Sequence, residues 1–299
     1  MIKQKFYGLL DAINSIDRLE LVTVLTLFLI LLHSHSKWYI ESPIIVLSIL
    51  GLIFSRIRKN DIYWFLMAAL LVSVNYFHWY EMDNHKYLLS YWSIVMFCIY
   101  LAPAEYRNSI LNFNARALIA LVFIFATVWK ILSLDYLDNT FFEFTLLTDH
   151  RFEYFTTWLS DIGIHTLEMN RDLENLLVRG YLDNIVINDV ELLSTEGVVK
   201  LAWFITLWTV IYEAMLALVF LLPNYRIIEI LRNVMLLIFG ASTYLIAPVI
   251  GFGWLLMIMG LAQAPAKSRY FPFLYLIVFI LIEFFTMPYG EIINVIFGR

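Results

Sequence analysis

The sequence predicts an all-α, polytopic integral membrane protein, a bundle of about eight or nine transmembrane helices with a helical extracytoplasmic cap. The 299 residues are 62% hydrophobic and 15% charged, whereas soluble domains are roughly 45–50% apolar. Mean hydropathy is +0.77, and apolar runs alternate with polar connections along the chain. Lysine and arginine are concentrated in every second connection, as in the cytoplasmic loops of membrane proteins.

Residues 1–17 predict an amphipathic helix that lies flat on the membrane surface. Lys3 and Lys5 precede apolar residues at helical spacing. The alternative is a simple lead-in to the first span. The apolar positions are Phe6, Leu9, Leu10, Ile13 and Ile16.

Nine apolar segments are candidate spans. Two of them, 40–55 and 252–264, are short for a hydrocarbon core of about 30 Å, so the number of spans is eight or nine. Aromatic pairs such as Trp38-Tyr39 near the segment ends are typical of interfacial belts. The segments are 18–33, 40–55, 62–79, 87–104, 115–134, 198–222, 227–247, 252–264 and 271–287.

The distribution of basic residues predicts the orientation. With nine spans and a cytoplasmic N-terminus, the basic connections all fall inside, and a cell-membrane, multi-pass topology follows. The long connection 135–197 is then extracytoplasmic, with thirteen Asp or Glu and three Arg. The residues predicted inside are Arg56, Arg58, Lys59, Arg107, Arg116, Arg226, Arg232, Lys267 and Arg269.

The connection 135–197 is rich in large apolar residues, which predicts folding rather than disorder. We expect two or three short helices that cap the outer mouth of a single domain over residues 1–299. Leu173, Leu176 and Leu177 begin one helical stripe. The other stripe consists of Phe152, Phe155, Trp158, Leu159 and Ile162.

Composition and motifs exclude several classes of protein. A net charge of −5 argues against nucleic-acid binding. The one cysteine, Cys98, allows no intramolecular disulfide, and the histidines, including His33 and His35, form no clear metal set. The sequence contains no P-loop, dinucleotide fingerprint, HExxH or GxSxG motif. No cleavable signal peptide is recognised.

Lys130 is the residue around which the functional prediction is organised. It lies inside the apolar run 115–134, where a charged amine costs about 2.5–3.5 kcal/mol on insertion scales. A desolvated lysine loses its proton more easily and then acts as a base or nucleophile. The alternative is that Lys130 snorkels to the nearby interface at Asp135.

Glu213 and His85 are the groups expected near Lys130. Glu213 lies well inside 198–222 and needs a partner or a proton, so Lys130 and Glu213 predict an outward-opening polar pocket or a structural ion pair. His85 begins the segment 87–104 on the same predicted side, where it could assist the amine or be an ordinary interfacial histidine. Glu283 is a weaker third case of a buried charge.

The segment Asn84-His85-Lys86-Tyr87-Leu88 resembles the NHxYL segment of the membrane domain of vitamin K-dependent γ-glutamyl carboxylase. Residues 126–138, from Ala126-Thr127-Val128-Trp129-Lys130-Ile131 to Leu134-Asp135-Tyr136-Leu137-Asp138, are similar to that family's AGxxKL…DWxxG segment. The span that contains Glu213 also resembles the family's next helix. The wider family is that of the horizontally transferred transmembrane (HTTM) domain proteins.

The resemblance implies a carboxylase-like lyase in which Lys130 is the base and His85 its helper. Asn84, Tyr87, Asp135 and Glu213 then line the pocket, and the implied cofactor is a reduced quinone such as vitamin K. Tyr136 replaces the family's Trp, and we expect the family's large lumenal portion to be missing. A lipid or peptide substrate is therefore an equal expectation.

Two alternatives to an enzyme remain open. The chain could be a non-enzymatic accessory for export, maturation or immunity of a secreted peptide, with the acidic connection 135–197 binding a basic partner or a separate soluble protein. It could also be a proton-coupled carrier that uses Lys130 and Glu213, although no repeated halves are visible.

Overall fold

The computed structural model describes residues 2–32, 38–182, 191–246, 251–265 and 268–286. All regular structure in these ranges is helical, and they contain no β-strand, which confirms the all-α part of the predicted fold class. The α-helices are α1 Ile2–Ser15, α2 Arg18–Leu32, α3 Trp38–Ile53, α4 Ser55–Arg58, α5 Asp61–Phe77, α6 Asn84–Leu101, α7 Ala104–Leu132, α8 Leu134–Leu137, α9 Thr140–Thr148, α10 Glu153–Leu159, α11 Ile164–Leu182, α12 Glu196–Leu221, α13 Arg226–Ile246, α14 Phe252–Gln263 and α15 Tyr270–Thr286.

The helices follow the predicted apolar segments, with one clear correction. Helix α7 begins at Ala104, not at residue 115, because its polar first turns contain no helix breaker. Its 29 residues extend over about 43 Å, more than the hydrocarbon core. Pro103 sets this start, since the residue before a proline avoids helical geometry and Ala102 is extended.

Three of the described helices are long and apolar enough to cross a membrane: Ala104–Leu132, Glu196–Leu221 and Arg226–Tyr244. The helical parts Glu41–Ile53, Asp61–Phe77, Phe252–Gln263 and Tyr270–Ile282 are apolar but shorter. These helices fit a membrane protein. The predicted amphipathic N-terminal helix is also present as Ile2–Ser15.

The chain forms two compact units, Met1–Val122 with Val219–Arg299, and Phe123–Leu218. In the first unit the side chains of Trp64 and Trp92 are fully buried. The Trp92 indole donates to Thr26 Oγ1 over 2.9 Å, and Thr23 Oγ1 lies 2.7 Å from Tyr100 Oη. These buried polar pairs join α2 to α6, as hydrogen bonds between apolar helices do in membranes.

The second unit contains the described part of the connection 135–197. It holds four α-helices, α8 to α11, rather than the two or three short ones that we expected, and α11 has 19 residues. Arg171 pairs with Glu153 over 2.7 Å, with side chains 10% and 15% exposed. This buried ion pair and the burial of Phe152 and Ile162 show that the described part of the connection is folded.

The two predicted apolar stripes of the connection are only partly correct. Trp158 and Leu159 are exposed although Phe152 and Ile162 in the same stripe are buried. On α11 the leucines Leu176 and Leu177 are exposed, and Leu167 is buried instead. The stripes identified helices, but only tertiary packing decided which of their faces is covered.

Candidate functional site

Lys130 and Glu213 form an ion pair in the second unit. The Lys130 amine donates a hydrogen bond to Glu213 Oε1. The two side chains are 13% and 9% exposed, respectively. Lys130 is in the last turn of α7, and Glu213 lies in the interior of α12. The amine therefore does not extend into bulk solvent, as snorkelling would require.

The second carboxylate oxygen of Glu213, Oε2, is buried and accepts no hydrogen bond from any described residue. The hydroxyl oxygens of Thr127 and Thr206 are also buried and have no hydrogen-bond partner among the described residues. Thr127 precedes Lys130 by one helical turn and Thr206 precedes Glu213 by two turns, so each hydroxyl lies on the helix face of its charged neighbour. Buried polar atoms normally have partners, and such exceptions call for an explanation.

Tyr136 lies against the ion pair. The Lys130 nitrogen is 5.7 Å from the centroid of the Tyr136 ring, within the range of a cation–π contact. The same ring stacks on Phe141 with centroids 4.2 Å apart. Burial, and after it the negative charge of Glu213, raises the pKa of Tyr136 to about 12. Its phenol therefore stays protonated at neutral pH and can donate a hydrogen bond.

Asp135, a predicted pocket residue, is exposed in α8. Its neighbour Tyr136 contacts the lysine instead. Tyr136, Thr127 and Thr206 were not among the site residues predicted from the sequence. Helical spacing from Lys130 and Glu213 was the one signal that could have identified the two threonines.

His85, Asn84 and Tyr87 lie in the first turn of α6, in the first unit. The His85 side chain is 15% exposed, and its Nε2 lies 3.8 Å from Asp83 Oδ2. Burial lowers the pKa of His85 despite the opposing charge of Asp83. The Tyr87 hydroxyl donates to the Trp79 carbonyl over 3.3 Å, while Asn84 is exposed.

The structure thus brings Lys130 and Glu213 together, and the grouping of His85 with them stays a prediction. His33 and His35 lie outside the described residues, as does the side chain of Glu283. Within the described ranges no cluster of three His, Cys, Asp or Glu residues could hold a metal ion.

Neither protein-family models nor curated proteins nor solved structures give a match to this chain.

Proposed function

We propose that the chain is a carboxylase-like membrane enzyme that uses Lys130 as a base. Its substrate is a quinone, a lipid or a peptide. The observation that carries this proposal is the buried Lys130–Glu213 pair, in which Glu213 Oε2 is a buried acceptor without a described partner; the unpaired oxygens Thr127 Oγ1 and Thr206 Oγ1 lie one and two turns away on the same helix faces. A purely structural ion pair has no need of unpaired acceptors next to it, because each adds a desolvation penalty. A substrate with hydroxyl or acidic hydrogens removes that penalty.

The proposed topology is that of a multi-pass protein of the cell membrane, with eight or nine spans and a cytoplasmic N-terminus. The connection 135–197 then lies outside and caps an outward-facing pocket at Lys130. The three long apolar helices and the alternation of basic connections support this arrangement.

The polar groups of the site fit a reduced quinone such as vitamin K. Three buried oxygens are open to hydrogen bonds from hydroxyl groups, and the Tyr136 ring adds an aromatic face beside the amine. When bound, such a group supplies an acidic hydroxyl and reducing electrons.

Lys130 acts as a base only after it has given up its own proton. Glu213 is hydrogen-bonded to the amine and is the acceptor for that proton. Inside a low-dielectric site a neutral amine–carboxylic acid pair avoids the desolvation penalty of two charges. The neutral amine then takes the substrate proton. The roles that the resemblance to the carboxylase gives to His85 as helper, and to Asn84, Tyr87 and Asp135 as pocket residues, stay predictions.

The test is the oxidation of reduced vitamin K by dissolved oxygen, which accepts the two electrons, in the presence of the purified protein in lipid vesicles; the reaction is followed by ultraviolet absorbance. Lys130→Ala should reduce the rate to that of empty vesicles. Lys200→Ala removes a lysine whose side chain is 73% exposed and should leave the rate unchanged. Full activity of the Lys130→Ala protein excludes Lys130 from the mechanism.

A second candidate function is that of a non-enzymatic accessory for a secreted peptide. It is favoured by the exposed apolar side chains of the connection, including Tyr154 at 81% and Trp158 at 82% exposure, together with its acidic charge. Under this alternative, replacing Tyr154 and Trp158 by Ser abolishes maturation of the peptide, whereas Lys130→Ala does not.

A further inference from the structure

The first unit contains a polar cavity of about 710 Å³, and it has no part in the proposed reaction. It lies where several helices begin or end: the starts of α2, α7, α13 and α15 and the end of α14. The polar residues that line it are Asn14, Ser15, Asp17, Arg18, Asn108, Asn112, Asn224, Glu229, Arg232, Gln263, Ser268 and Arg269.

Arg232 is a buried cation whose hydrogen-bond acceptors are uncharged, and Glu229, which also lines the cavity, is the carboxylate that interacts with it electrostatically. It is 2% exposed, and its guanidinium donates to the carbonyls of Val219 and Leu222 over 3.2 and 3.1 Å. It also donates to Asn224 Oδ1 over 3.1 Å. A buried guanidinium normally forms an ion pair, because moving an unpaired charge out of water costs on the order of several kcal/mol.

Arg116 is a second cation that shares the acceptor Asn224 with Arg232. It donates to Asn224 Oδ1 over 2.6 Å and to the Phe220 carbonyl over 2.8 Å. Arg18 in turn donates to the Ala264 carbonyl at the end of α14. Every acceptor that the described residues give these three arginines is thus uncharged.

Helix ends account for only part of this positive charge. The acceptor carbonyls lie at the C-termini of α12 and α14, and a helix C-terminus carries about half a negative charge. Asp17 lines the cavity but accepts the Glu20 amide over 3.1 Å, and Arg269 pairs weakly with Asp11 at 3.7 Å. Of the charged residues that line the cavity, Arg18, Arg232 and Arg269 are balanced in part by Asp17 and Glu229, so the lining keeps a surplus of one positive charge.

Gln263 adds a buried hydrogen-bond acceptor to the residues that line the cavity. This residue is 4% exposed, and its Nε2 donates to Asn233 Oδ1 over 2.8 Å. Tyr275 donates to the same Asn233 oxygen over 2.9 Å, which fixes the orientation of both amides. Gln263 Oε1 is then a buried acceptor that no described residue satisfies.

We propose that this cavity binds the headgroup of an anionic phospholipid that carries free hydroxyls, of the phosphatidylglycerol type. The phosphate would lie against Arg18 and Arg232, and a hydroxyl would donate to Gln263 Oε1. A soluble phosphorylated polyol offers the same chemistry. The lipid is favoured because apolar Ile13, Ile16 and Leu21 complete the lining, and on the proposed topology the cavity lies at cytoplasmic headgroup depth, where basic pockets between helices bind anionic lipids.

The test measures binding of three probes to the delipidated full chain by native mass spectrometry: phosphatidylglycerol, phosphatidylcholine and glycerol 3-phosphate. Phosphatidylglycerol should bind at least about tenfold more tightly than phosphatidylcholine, because the choline group has no hydroxyl to donate to Gln263 Oε1 and adds a positive charge beside the arginines. Equal affinity for the two lipids overturns the proposal. Equal affinity for glycerol 3-phosphate overturns the assignment to a lipid.

Variants locate the site. Arg18→Gln should weaken phosphatidylglycerol binding about tenfold, and Arg18→Lys, which keeps the charge, should weaken it less. Arg269→Gln changes a cavity residue whose side chain is 72% exposed, and it should also weaken binding. The control is Arg56→Gln, which removes an exposed arginine outside the cavity; an equal loss for this control overturns the proposal.

Discussion

Replacing Lys130 by Met should destabilise the protein strongly, while replacing both members of the pair should not. The two side chains are 13% and 9% exposed, so solvent screens their interaction little. Removing one member of a buried pair leaves an uncompensated charge and costs about 3–5 kcal/mol. For a chain of this size the corresponding decrease in Tm is on the order of 10 °C.

The assay is thermal unfolding of the purified protein in detergent, followed by tryptophan fluorescence. The double variant Lys130→Met/Glu213→Leu replaces the pair by apolar groups of similar size and should unfold near the wild-type temperature, because both charges are removed together. Lys200→Met serves as the exposed control and should change Tm by little.

The same proteins separate stability from function. The double variant should be folded but inactive, since the base is absent. A charge exchange, Lys130→Glu/Glu213→Lys, keeps the ion pair but moves the amine to the other helix, and it should also be inactive. If Lys130→Met alone unfolds at the wild-type temperature, the pair is not formed as described and the reasoning fails.

Three further predictions concern other parts of the chain. Burial lowers the pKa of His85 in the folded protein, so the contribution of the neutral imidazole to the free energy of unfolding is present above about pH 6.5 and is lost as the pH falls below that value. His85→Gln should remove this pH dependence from the free energies of unfolding measured by denaturant titration at a series of pH values. Arg171→Met leaves a buried carboxylate without its partner and should destabilise the connection by about 3 kcal/mol, measured as faster amide hydrogen exchange in α10 and α11; exchange at the wild-type rate contradicts this. In a Cys98→Ser background, an impermeant thiol reagent should label Glu168→Cys in intact cells and Arg56→Cys only after permeabilisation; the reverse pattern refutes the topology.

The sequence by itself determined the helical character of the protein and the positions of most helices. Apolar runs of about membrane length can satisfy their backbone only as helices when they lie in lipid, so hydropathy located α2, α5, α12 and α13 to within a few residues. Hydropathy misplaced the start of α7, because it detects apolar residues and not the polar turns with which this helix begins.

Only the tertiary structure determined which polar side chains contact each other. Lys130 and Glu213 are 83 positions apart, and the sequence offered the pair only as one way of compensating two buried charges. The unpaired oxygens of Thr127 and Thr206, the contact of Tyr136 and the clustering of Arg116 with Arg232 on Asn224 were not visible in the sequence. Such groupings depend on which helix faces meet, and the apolar surfaces that bring the helices together carry no information about which polar side chains will face each other.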